Sequence, residues 1–199
     1  MASGAAAHVG KRELILGAAV RVFAREGYHT CRVGQIAEEA GVAYGLVYHY
    51  YGSKDELLET IFRRTWTEML ARVHEVEESG KPAREQIRQV AAVVLRTWRR
   101  DPDLVRVLVR EVIRSEHLQH RVEEIADAFH ALERIIRSGQ ERGELRRELD
   151  ARLASVVLYG ALEEILSGWV LGQLPGEEAD ILAADQEVVE ILCGGLGAG

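Results

Sequence analysis

The residues of this chain best equipped for chemistry crowd into one stretch. Arg32, Gln35, Tyr44, Tyr48, His49, Tyr50 and Lys54 all fall between positions 32 and 54. They are donors and acceptors suited to phosphate oxygens and base edges, not to bond making. Ser53 and Glu56 form an S-x-x-E capping box, which starts a helix at Ser53 and makes Lys54 its first residue. A cation there opposes the helix dipole and costs roughly a few tenths of a kcal/mol unless an anion sits at that end. A DNA phosphate supplies one; a lysine simply left in solvent is the bland alternative.

Chemistry of other kinds is poorly served. His117 and His120, with Glu116 and Glu124 close by, can be drawn as a metal set, but carboxylates abound in this acidic chain and no cysteine is near, so solvated side chains and no metal are expected. Glycine-rich phosphate loops, G-x-S-x-G and H-E-x-x-H are missing from the sequence. Glu163 and Glu164 are a poor acid/base pair because neighbours on a helix diverge by about 100°. A protein that is not an enzyme and carries no cofactor is the expectation.

The element that must position the polar cluster is the run 32–58. Val33, Ile36, Ala37 and Ala40 share one helical face, and Gly41 suits a left-handed helix exit. Residues 44–50 then make a second short helix that stops before Gly52-Ser53. Val47 should point inward, and Tyr44, Gly45, Tyr48 and His49 outward. These are the two helices of a helix-turn-helix, braced by an earlier helix over 11–26 with Ile15, Ala19, Val22 and Phe23 on one stripe.

Residues 27–58, GYHTCRVGQIAEEAGVAYGLVYHYYGSKDELL, resemble the DNA-binding signature of the TetR family of bacterial transcriptional regulators. The likeness lies in a Gly-aromatic entry, an I-A-x-x-A-G-V helix and turn, a G-x-x-Y recognition helix, an aromatic pair and a lysine opening the fourth helix. About ten positions agree in order, far more than a lone short motif offers. The resemblance implies an all-α protein: a three-helix head, a long fourth helix, and a helical body that binds a ligand and dimerises. It also implies that Arg32, Gln35, Ala43, Tyr44, Gly45, Tyr48, His49, Tyr50 and Lys54 meet an operator. Cys31 stands where the family usually has a threonine on the DNA backbone, with Thr30 displaced by one, and Ala43 replaces a frequent serine. The run from His29 to Ala37, and later Gly160, Gly168, Trp169, Val170 and Leu171, are similar to acyl-CoA-responsive repressors of fatty-acid metabolism.

Charge limits how DNA can be held. The 199 residues carry a net charge of −7, yet residues 11–65 hold eight Lys/Arg against seven Asp/Glu, so the negative excess lies elsewhere. Contact with DNA must therefore be local. Cys31 and Cys193 are far apart and outside any C-x-x-C spacing, which points to reduced thiols in a cytoplasm. MASGAAAHVG lacks the features of a signal peptide and reads as a frayed tail over 1–10. The division expected is that tail, a DNA-binding domain over 11–52, and a ligand and dimer domain over 53–199.

In the body, helical stripes run from Ser53 to about Ser79, from Pro82 to Trp98, over Leu104–Ile113, over Leu118–Glu141, from an Asp150 cap to about Gly172, and from Pro175 onward. The fourth helix would be about 40 Å long, more than a compact head needs. Glu163 and Glu164 interrupt the most apolar stretch, so no membrane span is expected. Ala154, Ala161 and Gly168 recur every seven residues between Leu158 and Ile165, a candidate homodimer seam. Leu95, Trp98, Leu108, Val109, Phe129, Leu132 and Leu158 make either a packed core or the lining of a tunnel for an apolar effector. If the effector is an acyl-CoA, its phosphates need cations, for which Arg106 and Arg110, one turn apart, are the candidates.

Overall fold

In the computed structural model, residues 2–111 and 122–196 are described. Among them lie nine α-helices and no strand, the all-α architecture expected. They are α1 (Ala2–Glu26), α2 (Val33–Ala40), α3 (Tyr44–Tyr51), α4 (Lys54–Glu77), α5 (Ala83–Arg100), α6 (Pro102–Glu111), α7 (Val122–Glu141), α8 (Ala151–Val170) and α9 (Glu178–Leu196). Glu116, His117 and His120 of the imagined metal set, with Val112, Ile113 and Leu118, lie outside the described residues.

The chain forms two compact units, one of residues 1–65 with 103–120, the other of residues 66–102 with 121–199. The division falls inside α4, which therefore belongs to both. The first unit is built on the stripe of α1, where Ile15, Ala18, Ala19 and Val22 are fully buried and Phe23 nearly so. Gly27, at φ +83°, ends that helix with its N–H on the Phe23 carbonyl at 2.9 Å. The helix begins at Ala2, so the tail expected over 1–10 is helical; its alanines carry the best helix propensity of any residue. Gly41 closes α2 in the left-handed region, at φ 66° and ψ 34°. Val105 and Val107 of α6 are buried, and α6 groups with this unit and not with the body, where the sequence put it.

In the second unit, α5 packs on α9, and α7 on α8. Pro82 caps α5, and Asp150 caps α8 by accepting the Leu153 N–H at 2.7 Å. Arg134 holds Glu77 through two bonds of 2.6 and 3.0 Å. By length and composition alone α8 would also reach across a bilayer, but it carries Glu163 and Glu164 and buries Leu158, Leu162 and Trp169 inside the body.

Of the heptad positions on this helix, Ala154 and Ala161 are half-buried. Leu158 is 1% exposed and Gly168 is buried, where an added Cβ would lie 2.7 Å from Leu174 Cδ1. The outward apolar stripe is Leu153, Val156, Val157 and Gly160, shifted by about one residue from Ala154 and Ala161. A helix that is apolar all round offers more than one seam, and spacing alone does not say which one the protomer uses itself.

Candidate nucleic-acid interface and effector site

The helix-turn-helix is assembled from its caps inward. The backbone N–H of Arg32 donates to Gln35 Oε1 at 2.7 Å, which fixes the start of α2 and leaves the Gln35 amide nitrogen as its outward donor. Gly41 N–H donates to Glu38 O and Val42 N–H to Ala37 O, both at 3.0 Å, which turns the chain into α3. On α3, Val47 is 2% exposed while Ala43, Tyr44, Gly45, Tyr48 and His49 are all exposed, the orientation read from spacing. The Tyr44 and Tyr48 rings meet edge to face at 5.3 Å with their hydroxyls 3.2 Å apart. That bond raises the Tyr48 pKa, which keeps its hydroxyl a neutral donor. A Cβ built on Gly45 meets nothing within 4 Å, so its smallness serves no internal packing. Tyr50 is half-buried, its ring 5.3 Å from that of His49.

Lys54 has acceptors within the protein. Its ammonium donates to the carbonyls of Tyr28 at 2.6 Å and Cys31 at 3.2 Å and sits 4.6 Å from the centre of the Tyr28 ring. Ser53 Oγ caps α4 by accepting the Glu56 N–H at 3.0 Å. The dipole argument that sent Lys54 to a phosphate is thus met by two backbone carbonyls of the turn into α2. Tyr28, whose hydroxyl donates to Asp55, closes the same joint, and burial and that carboxylate push its pKa up. Cys31, where the family threonine would stand, is 5% exposed with its thiol on the Tyr28 carbonyl, and the neighbouring Thr30 hydroxyl donates to the Glu26 carbonyl.

In the second unit the structure buries Leu95, Trp98, Leu132 and Leu158 and leaves Phe129 half-exposed. Phe129 lies 4.6 Å from Tyr159, which stacks on Trp66 at 6.4 Å, while Trp98 stacks on Trp169 at 6.3 Å. Trp66 and Tyr159 were missed from the sequence: they come from α4 and α8, and nothing in their spacing brings them to Phe129. Burial raises the Tyr159 pKa, so the phenol is neutral. Arg106, Leu108, Val109 and Arg110, expected beside these residues, lie on α6 in the other unit. Arg106 is held there by Asp103 at 2.7 Å, and Arg110 points to the Ala24 carbonyl at 3.4 Å. Arg106 and Arg110 thus fall in the first unit and the apolar group in the second.

Residues 15–61 match the model of bacterial regulatory proteins of the tetR family, and residues 62–195 match that of the YsiA-like protein C-terminal region. The chain is 30% identical over 184 residues to the fatty acid metabolism regulator protein of Bacillus subtilis (strain 168), covering 92% of this chain and 93% of that one. Among solved structures, it is similar to the transcriptional regulator FadR from Bacillus subtilis in complex with stearoyl-CoA, with a TM-score of 0.81 and 29% identity over 92% of this chain and 98% of that chain. The fatty acid degradation regulator FadR from Bacillus halodurans is similar at a TM-score of 0.81 and 27% identity, over the same shares.

Proposed function

The chain belongs to the TetR family of bacterial regulatory proteins, and within it we propose a transcriptional repressor that binds a palindromic operator as a homodimer and is released by a long-chain acyl-CoA. The observation that carries this reading is the near full-length likeness to a fatty acid metabolism regulator whose structure holds stearoyl-CoA. It is joined by a recognition helix whose polar face is open.

DNA binding is assigned to residues 11–52, with Arg32, Gln35, Ala43, Tyr44, Gly45, Tyr48, His49 and Tyr50 facing the duplex and Lys54 holding the turn that aims them. Effector binding and dimerisation are assigned to residues 53–199. Leu95, Trp98, Phe129, Leu132 and Leu158, with Trp66 and Tyr159, supply the apolar surroundings an acyl chain needs. Leu153, Val156 and Val157 are exposed on one face of α8 and supply the dimer surface. A two-fold dimer sets two recognition helices about 34 Å apart, one turn of DNA, and so calls for a palindrome. The protein acts in the cytoplasm, where its operator and acyl-CoAs meet.

Release requires that the effector bind the non-operator conformation more tightly, and a tenfold loss of DNA affinity needs only about 1.4 kcal/mol of such preference. The test is a shift assay on DNA from the protein's own promoter, titrated with stearoyl-CoA and other acyl-CoAs. Release at saturating stearoyl-CoA is expected. A complex that survives acyl-CoAs of every chain length would overturn the assignment of the effector.

A further inference from the structure

The second unit contains a groove of about 790 Å³ between α4, α5 and α9, and its polar lining is dominated by one residue type. Arg72 enters from α4, and Arg88, Arg96, Arg99 and Arg100 from α5. Arg88, Arg96 and Arg100 share one face of α5, with the buried Ala92 between the first two, so α5 presents a ladder of guanidiniums broken once while the adjoining face buries Leu95 and Trp98. In a chain of net charge −7 such a concentration of one sign in one hollow is not a composition effect.

Three of the five arginines are engaged within the protein, Arg99 among them. Arg88 is held by Glu85 through bonds of 2.8 and 2.6 Å, and Arg96 approaches the buried Asp185 at 3.4 Å. Arg72 and Arg100 have no carboxylate partner among the described residues. Elsewhere in this unit Arg134, Arg137 and Arg142 each sit on a glutamate within 2.6 Å. The dipole of α5 favours cations in its last turn, which accounts for Arg99 and Arg100, but it says nothing of Arg72, which comes from another helix.

We infer that this groove is the site for the phosphorylated nucleotide head of a coenzyme A thioester, with Arg72 and Arg100 on its phosphates. The inference rests on the acyl-CoA reading above and names the part of the site that takes the charged end. Guanidinium forks match phosphate oxygens in pairs, which a lysine cannot do. Val76, Val93 and Leu182 give the groove an apolar wall on which a base can lie, and its volume falls in the range of about 300–1,000 Å³ usual for small-ligand sites. Arg106 and Arg110, chosen from the sequence for this role, are in the other unit and already engaged.

The experiment is calorimetric titration of the full chain and of an Arg72→Ala/Arg100→Ala variant with coenzyme A, stearoyl-CoA and stearate, beside the promoter-shift assay. Both side chains are exposed, so the variant should melt with the wild type. Coenzyme A should bind the wild type, more weakly at higher salt, and be lost in the variant. Stearoyl-CoA should weaken by about tenfold or more. Stearate and ligand-free operator affinity should not change, and Arg72→Lys/Arg100→Lys should fall between.

If stearoyl-CoA binds and releases both proteins alike, the groove assignment fails and the effector reading stands. If coenzyme A binds in an arginine-dependent way but stearoyl-CoA never releases the operator, the groove stands and the effector reading fails. Loss of operator affinity in the ligand-free variant would overturn the inference by making the groove a DNA contact. Absence of binding by both coenzyme A and stearoyl-CoA would overturn the groove and the effector together.

Discussion

Replacing Lys54 with methionine removes the ammonium and keeps the apolar stem, and it asks whether this lysine faces the DNA or the protein. The structure gives it two charge-assisted bonds, to the carbonyls of Tyr28 and Cys31, and a position 4.6 Å from the Tyr28 ring centre. Each bond to a charged donor contributes about 1.5–3 kcal/mol when buried. Lys54 is only half-buried, which reduces each to about 1 kcal/mol. The ring contact adds about 0.5 kcal/mol, and removing a cation from the start of α4 returns about as much. The net loss is then about 2 kcal/mol, or about 4–8 °C in Tm for a chain of this length. Operator affinity should fall as well, because the turn at residues 28–31 leads into α2, but the dependence of affinity on salt should keep its slope. Thermal melting and a salt series of operator titrations read the two quantities separately. An unchanged Tm, with a salt slope smaller by about one phosphate contact, would refute the internal role and return Lys54 to the duplex.

Other substitutions test the remaining surfaces. Gly45→Leu places a bulky side chain where a Cβ meets nothing within 4 Å; operator binding should be abolished with the melting temperature nearly intact, and an unfolded variant would show that Gly45 packs. Val157→Arg, on the exposed stripe of α8, should give monomers that bind the operator poorly, and sedimentation showing an unaltered dimer would move the interface off this face. Glu163 is exposed as a residue, but partial desolvation of its carboxylate, and then Glu164, raise its pKa above the ordinary 4.5. The charged carboxylate is therefore disfavoured in the folded state at neutral pH, and the penalty is relieved as pH falls through the raised pKa. Glu163→Gln should melt above the wild type at pH 7, with the difference closing below about 4.5, and a difference that does not vary with pH would refute the electrostatic origin.

What the sequence made legible, and what it did not, divides along the range of the interactions. The caps of α4 and α8, the exit at Gly41 and the inward turn of Val47 are set by residues within a few positions of one another, so spacing is sufficient to place them. The internal partners of Lys54 were not legible because they are backbone carbonyls 23 and 26 residues away, and main-chain oxygens carry no letter in a sequence. The outward face of α8 was not legible either, because an apolar helix does not declare which face the protomer keeps for itself. The same limit governed the effector site. Arg106 and Arg110 were chosen because two arginines one turn apart are visible from spacing alone, and α6 then folded into the unit of the head. The ladder on α5 was equally visible, but its significance depends on Arg72 arriving from α4 and on which arginines meet carboxylates. Both depend on contacts between helices that local pattern cannot supply. Charge that is compensated in sequence can be uncompensated in space, and an arginine left without a carboxylate beside a hollow is where an anionic ligand gains most from binding.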